Sequence, residues 1–263
     1  MSDRLKALRA ARPLVHCVAN TVSSESCANL LLALGASPIM AQAPEEMAAV
    51  TAAAQATVLN AGTPDAVRWS ACHTCLRAAD HPVVLDPVGV GVSPWRAEKV
   101  RALLSLRHPD ILRVNAGEAQ TLLGMDSRSQ GVDCPKGLPC DQATALAQRL
   151  ARLRHCVVLL TGALDAVSDG QKTCCIAGGN PLMSRITGSG DMLSCLCGAF
   201  ATVADAFTAA VTASAFWKLC AERAAATAPA PGRFRAALID NVYILDDREL
   251  AAAMAGRGLL SFI

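Results

Sequence analysis

The chain has 263 residues, 52% of them hydrophobic and 17% charged, with a mean hydropathy of +0.33. That balance excludes intrinsic disorder, and the length is sufficient for one large domain with a substantial core. Basic residues number 24 against 22 acidic, a net charge of +2, so there is no electrostatic footprint for nucleic acid or an anionic membrane. No apolar run approaches the roughly 20 residues that span a bilayer. Residues 1–12 are basic and lack an apolar segment, so no secretory signal is expected and the expected compartment is the cytoplasm.

In chain order, helix and strand alternate. The span 23–34 places Cys27, Leu30, Leu31 and Leu34 on one helical face and stops at Gly35. Residues 37–41 read as a short strand. Pro44 opens the next helix, with Glu45 and Glu46 in its first turn, where the dipole favours acids. Strand 57–60, helix 66–79 and strand 82–86 follow, then helix 96–105, strand 111–115 and helix 117–123. Beyond a long irregular stretch at 125–140, helix 141–152 leads into the apolar strand 156–161. Residues 166–168 and 173–176 flank Asp169, Gly170, Gln171 and Lys172 as an antiparallel hairpin. The remainder is helical, at 192–202, 205–226, 233–243 and 247–254. Short strands that are apolar throughout predict an α/β fold, a mostly parallel sheet with helices on both faces and a helical C-terminal part. No linker, repeat or low-complexity tail divides the chain, so a single domain over 1–263 is expected.

In open parallel sheets, ligands bind beyond the carboxyl ends of the strands. Those ends carry Met40, the segments 60–63, 86–91 and 115–118, and Thr161 with Gly162, a polar, glycine-rich rim. Loop composition alone explains any one of them; their joint placement favours a site. The sharpest motif is Gly188, Ser189, Gly190 and Asp191, leading directly into a helix. Glycines there let backbone N–H groups approach an anion, and the helix dipole adds positive potential. Asp191 as a cap would stabilise the helix start. As a general base it would take a proton from a substrate hydroxyl while the N–H groups stabilise a transferring phosphoryl group. Asp86 and Glu118, after neighbouring strands, supply two acids available for Mg²⁺, directly or through water.

Twelve cysteines in a reducing compartment do not imply disulfides. Cys72 and Cys75 have C-x-x-C spacing without a second such pair and fall on a predicted surface helix, which argues against a metal or redox role. Cys27, Cys156, Cys174 and Cys195 read as small buried hydrophobes. Cys134 and Cys140 stand close enough in sequence to pair under oxidation, which spacing alone does not establish. His16 is expected to order the first loop by hydrogen bonding. Trp69, Trp95 and Trp217 show no base-stacking pattern, and Lys218 and Arg223 are expected to face solvent.

Val15-His16-Cys17-Val18-Ala19-Asn20 and Ala33-Leu34-Gly35-Ala36-Ser37-Pro38-Ile39-Met40 resemble the N-terminal signature of the hydroxyethylthiazole kinase family. So do Leu59-Asn60-Ala61-Gly62-Thr63, Leu85-Asp86-Pro87-Val88-Gly89-Val90-Gly91 and Arg113-Val114-Asn115-Ala116-Gly117-Glu118. The resemblance runs in consistent order from about Pro13 to about Leu245. It implies a ribokinase-like fold, a homotrimer with active sites at subunit interfaces, and transfer of the ATP γ-phosphoryl group to 5-(2-hydroxyethyl)-4-methylthiazole. Carried over by position, it implies that Met40 touches the thiazole, with Asn20 and Gly62 nearby and Gly188 beside the substrate hydroxyl. Arg113, Thr161, Asn115 and Gly190 fall on the ATP side, and Asp86 and Glu118 organise Mg²⁺ and the phosphates. The family typically has cysteine at the position of Asp191, whereas related sugar and pyridoxal kinases use aspartate there as the base. A carboxylate (reference pKa about 3.9) is ionised at neutral pH and a thiol (about 8.5) mostly is not, so the departure preserves the chemistry and leaves the acceptor open. Val114 in place of glycine and Ser26 in place of a bulkier apolar residue are further departures. A nicotinamide-hydrate dehydratase of the same fold, a kinase for another small alcohol such as a pyridoxal or pyrimidine, and a non-catalytic thiazole-binding protein remain the alternatives.

Overall fold

Two elements have no counterpart in the predicted series: α1 (Arg4–Ala11) and β1 (Leu14–Val18). The computed structural model describes residues 3–125 and 138–256. Helix α1 buries only Leu5 and Leu8, too sparse an apolar face to be conspicuous in the sequence. Its start is held from the far end of the chain, where the Asp247 carboxylate accepts from Leu5 N at 2.9 Å and Lys6 N at 2.8 Å. The apolar sequence of β1 is interrupted by His16, whose ring is wholly buried and bonds to the Ala41 carbonyl and to Thr51 Oγ1, each at 3.1 Å. His16 thus ties β1 to the segments after the next strand rather than ordering the first loop. Burial lowers its pKa, which favours the neutral ring.

The alternation then follows the predicted order, with ends displaced by a few residues. It runs α2 (Ser24–Leu34), β2 (Ser37–Ile39), α3 (Met47–Ala53), β3 (Ala56–Asn60), α4 (Ala66–Ala78), β4 (Val83–Asp86), α5 (Pro94–Leu106) and β5 (Ile111–Asn115). After these come α6 (Ala116–Leu122), α7 (Cys140–Arg154), β6 (Val157–Thr161) and the hairpin β7 (Asp165–Ser168) and β8 (Thr173–Ile176). A 3-10 turn (Pro181–Arg185) leads to α8 (Ser189–Ala201), α9 (Ala206–Thr227), α10 (Pro231–Ile244) and α11 (Asp247–Gly256). Helix α3 begins at Met47 and not at Pro44, because Glu46 N donates to the Ala43 carbonyl in a preceding turn. Cys134 lies outside the described residues. Cys140 opens α7, with its thiol hydrogen-bonded to that of Cys175.

The eight strands form one sheet in the order β2-β1-β3-β4-β5-β6-β7-β8, parallel from β2 through β6 and antiparallel in the hairpin. Successive strand residues serve opposite cores. Val15, Val58, Val84, Ile111 and Leu159 face a core built with α1, α2 and α8 to α11. Val18, Leu59, Leu85, Leu112 and Leu160 face a second core built with α3 to α7. Burial on both faces is the reason these strands read as continuous apolar runs.

Nine of the cysteines are buried among the described residues, Cys72 and Cys75 included. The C-x-x-C pair thus faces the core from α4, with Cys75 Sγ 3.9 Å from Met47 Sδ. No cluster of three or more His, Cys, Asp or Glu side chains suited to a metal ion occurs among the described residues. Trp69 and Trp95 pack edge to face at 6.1 Å, joining α4 to α5. The Arg235 guanidinium donates to Ser26 Oγ at 2.8 Å, so the smaller residue at that position ties α2 to α10. Among the described residues no helix is long and apolar enough to cross a membrane.

Helix α8 crosses the sheet at a close approach made at Gly198. A Cβ there would lie 2.7 Å from Val58 Cγ2, a branched side chain with little rotamer freedom. Gly198→Ala gains about 1 kcal/mol of helix propensity but overpacks this contact, at a cost of about 1–3 kcal/mol. A lowered urea midpoint is therefore expected, with recovery in the double variant carrying Val58→Ala; an unchanged midpoint would show that α8 has room to shift.

Candidate active site

Strand β1 lies between β2 and β3, so the chain leaves one side of β1 through α2 and later returns to its other side through α3, on the opposite face. The carboxyl ends of β1 and β3 at this reversal are the characteristic ligand position of such sheets. Asn20 lies just past β1 and Asn60 ends β3. Both amides turn toward the start of α8.

There the Asp191 carboxylate is held from three directions. Asn20 Nδ2 donates to Oδ2 at 2.7 Å, Asn60 Nδ2 donates to Oδ1 at 3.0 Å, and Ser23 Oγ makes a short bond to Oδ2. The two amides are themselves locked, because Asn20 Nδ2 also donates to Asn60 Oδ1 at 3.0 Å and Gly62 N donates to the same oxygen at 2.8 Å. Asp191 is the third residue of α8, and Gly188 precedes the helix at φ +82°, a left-handed conformation suited to glycine. Gly188 offers no side-chain cap, so the first-turn N–H groups of α8 are available to an anion. Trp217 Nε1 supports this turn from α9 by donating to the Ser189 carbonyl at 3.1 Å.

A second group lies behind the first. Arg113 Nη2 donates to Thr161 Oγ1 at 2.9 Å, and Nη1 is 3.4 Å from Asp86 Oδ2, which also accepts from Ser194 Oγ at 2.7 Å. The guanidinium fills the space beside Gly190, where any Cβ would overlap it. Asp86 is fully buried, and its Oδ1 has no hydrogen-bond partner among the described residues. Burial pushes its carboxyl far above the usual carboxylate range. Arg113 opposes that shift, and Glu118 and Asp191 reinforce it. For Arg113, burial works against the charge but is outweighed by Asp86, Glu118, Asp191 and Asp165, so the guanidinium pKa rises.

Glu118 has a different task. Its Oε2 accepts from Asn115 N at 2.9 Å, while Asn115 Oδ1 accepts from Glu118 N at 2.9 Å, a reciprocal capping box at the start of α6. Its Oε1 accepts from Gly89 N at 3.0 Å and so fixes the glycine-rich turn after β4.

The structure therefore brings Asn20, Gly62, Gly188 and Asp191 together, places Asp86, Arg113, Thr161 and Gly190 beside them, and sets Asn115 and Glu118 where β5 passes into α6. Met40 follows β2 at the sheet edge, half-buried against the α8-side core. Asn60, Ser23 and Ser194 carry contacts that the sequence reading did not assign. Asn60 stood in a recognised rim segment, whereas the two serines carry no signal without coordinates. Lys218 is a correction: it is buried, and its ammonium is 3.2 Å from Asp165 Oδ1. Arg223 is partly exposed and pairs with Glu249 at 2.5 Å.

Comparison with known proteins gives a consistent result. The model of the hydroxyethylthiazole kinase family matches residues 5–248. The hydroxyethylthiazole kinase of Moorella thermoacetica is 39% identical over 255 residues, covering 95% of both chains. That of Methanoculleus marisnigri is 41% identical over 251 residues, covering 94% of this chain and 89% of the other. Among solved structures, the hydroxyethylthiazole kinase protein of Pyrococcus horikoshii superposes with a TM-score of 0.87 at 36% identity, covering 95% of this chain and 94% of that one. A Staphylococcus aureus pyridoxal kinase in complex with ADP has a TM-score of 0.61 at 14% identity over 80% of this chain and 88% of its own, a likeness of fold alone.

The raised carboxyl of Asp86 has a pH signature. Because the folded state binds this proton more tightly than the unfolded chain, the group's contribution to stability is complete below the ordinary carboxylate range and is lost as pH rises through the raised value. Urea unfolding of wild type and Asp86→Asn at about pH 4.5 and about pH 8 should show wild type losing ground to the variant at the higher pH. A gap moving in wild type's favour would mean that Asp86 is held as a stabilised anion.

Proposed function

This chain belongs to the hydroxyethylthiazole kinase family, and on that basis we propose that it transfers the γ-phosphoryl group of ATP to the hydroxyl of 5-(2-hydroxyethyl)-4-methylthiazole. The carrying observation is the seat of Asp191 at the first turn of α8, with Oδ1 accepting from Asn60 as its one partner among the described residues. That oxygen has capacity left for a substrate hydroxyl. Asp191 takes the hydroxyl proton as the hydroxyl oxygen bonds to the γ-phosphorus. The bond from phosphorus to the β–γ bridging oxygen breaks, and ADP leaves. First-turn N–H groups of α8 face the charge on the transferring group, worth more in a dry site than in water. Arg113 and Thr161 contact ATP, with Gly190 leaving space for the guanidinium and Asn115 shaping the neighbouring turn. Met40, Asn20 and Gly62 border the thiazole, and Gly188 lies beside its hydroxyl.

Asp86 fits a magnesium ion, since its buried Oδ1 lacks a hydrogen-bond partner among the described residues and Mg²⁺ is usually held by one or two carboxylates together with substrate phosphates. Glu118 fits a role through water, because both of its oxygens already accept backbone N–H groups. The ion would neutralise charge on the β- and γ-phosphates. The reading includes one catalytic domain, assembled as a homotrimer with sites between subunits. Met40, half-buried just past the edge strand β2, supports completion of a pocket by a neighbouring copy, and light scattering tests the assembly.

Asp191 itself favours a second reading in which the acceptor is a different alcohol, since the family typically has cysteine there. ADP release from Mg²⁺-ATP with the thiazole alcohol, pyridoxal, hydroxymethylpyrimidine and ribose in parallel separates the two. Preference for the thiazole is expected; turnover of another alcohol alone would transfer the assignment to it. Asp191→Ala should lower kcat by about 10²-fold or more while leaving the thiazole KM nearly unchanged, and an undiminished kcat would remove it as the base. Met40→Ala should mainly raise the thiazole KM, and a loss confined to kcat would contradict a binding role.

A further inference from the structure

The ammonium of Lys218, in the middle of α9, lies beneath the turns that follow β6 and β8. Its Nζ is 3.2 Å from Asp165 Oδ1, 3.3 Å from the carbonyls of Ala163 and Gly178, and 3.4 Å from that of Gly162. These distances exceed the roughly 2.7–2.9 Å of a directed charge-assisted bond. Three N–H donors are thus spread over four oxygens, as a spherical ion is coordinated. The cage carries a single formal negative charge, matching one monovalent cation. It is also built in advance: Asp165 Oδ1 accepts from Gly162 N at 3.0 Å, Asp165 Oδ2 accepts from Ser214 Oγ at 2.7 Å, and Gly179 N donates to Glu222 Oε1 at 2.9 Å. The turn it closes begins at Thr161, the residue that receives Arg113.

We propose that Lys218 is a positioning residue for phosphoryl transfer, a tethered ammonium that fills a four-oxygen monovalent-cation site and fixes the Thr161 turn against ATP. It follows that the enzyme needs no free potassium or ammonium. This rests on the kinase reading for its catalytic consequence, though not for the cation site itself. Removing the lysine beyond Cβ leaves a buried carboxylate and three carbonyls without their cation, an unfavourable arrangement that a small free cation would relieve.

The test compares wild type, Lys218→Ala and Lys218→Met in ammonium, potassium and choline chlorides at matched ionic strength, reading steady-state kinetics and melting temperature. Wild type should behave alike in all three salts. Lys218→Ala should lose about tenfold or more in kcat/KM for ATP in choline, with the thiazole KM unchanged. It should regain most of that loss, and melt higher, in ammonium or potassium. Lys218→Met, which fills the space without a charge, should stay slow in every salt. Wild type that requires potassium or ammonium over choline overturns the proposal, as does a Lys218→Ala protein indifferent to the cation in both rate and melting. If Lys218→Ala folds in ammonium but not in choline, that difference supports the proposal; folding in neither overturns it. A wild-type protein inert toward the thiazole alcohol would refute the kinase reading separately, with the salt-dependent melting still deciding the cation site.

Discussion

The depth at which α8 rests on the sheet governs the geometry at its start. Gly198 lets the helix backbone settle against Val58, and Asp191 stands two turns back along the same axis. A helix held away by a methyl group would carry the carboxylate away from Asn20 and Asn60, whose own positions follow from the sheet. The same seating brings Ser194 to Asp86 and leaves the space beside Gly190 for Arg113. A packing contact within the apolar core thereby sets hydrogen-bond distances at a polar rim.

Three acids cluster around Arg113 at this rim, unpromising surroundings for a polyanionic nucleotide if all three were bare. The fold gives each a different environment. Asp191 receives two amides and a hydroxyl, and Glu118 receives two backbone N–H groups, so their charge is met by fixed dipoles. Asp86 receives the guanidinium and a hydroxyl on one oxygen and, among the described residues, no hydrogen bond on the other. Chemically similar side chains are in this way given three different hydrogen-bonding and electrostatic environments by their neighbours alone.

Much of this organisation was legible in the residues. Strands buried on both faces leave continuous apolar runs, which is why β3 to β6 stood out, and glycine before an acid at a helix start marked α8. What escaped were features whose cause is distant in sequence. Strand β1 was obscured by His16, acceptable inside only because Ala41 and Thr51 supply partners. Lys218 read as a solvated charge because nothing near it in sequence announces Asp165, some fifty positions earlier across a helix and a hairpin. Ser23 and Ser194 are unremarkable in composition and acquire meaning only when tertiary contacts place their hydroxyls on the two aspartates.

The buried thiols carry a practical consequence. Burial pushes the Cys72 and Cys156 thiols up to about 12 and raises several others, which suppresses the nucleophilic thiolate while the fold is intact. Loss of the fold abolishes that protection all at once. An opened chain exposes its twelve cysteines to oxidation and to thiol–disulfide exchange in air. Time spent unfolded without a reductant therefore adds a route to irreversible loss, and heat inactivation under those conditions is to be measured as a lifetime and not as an equilibrium.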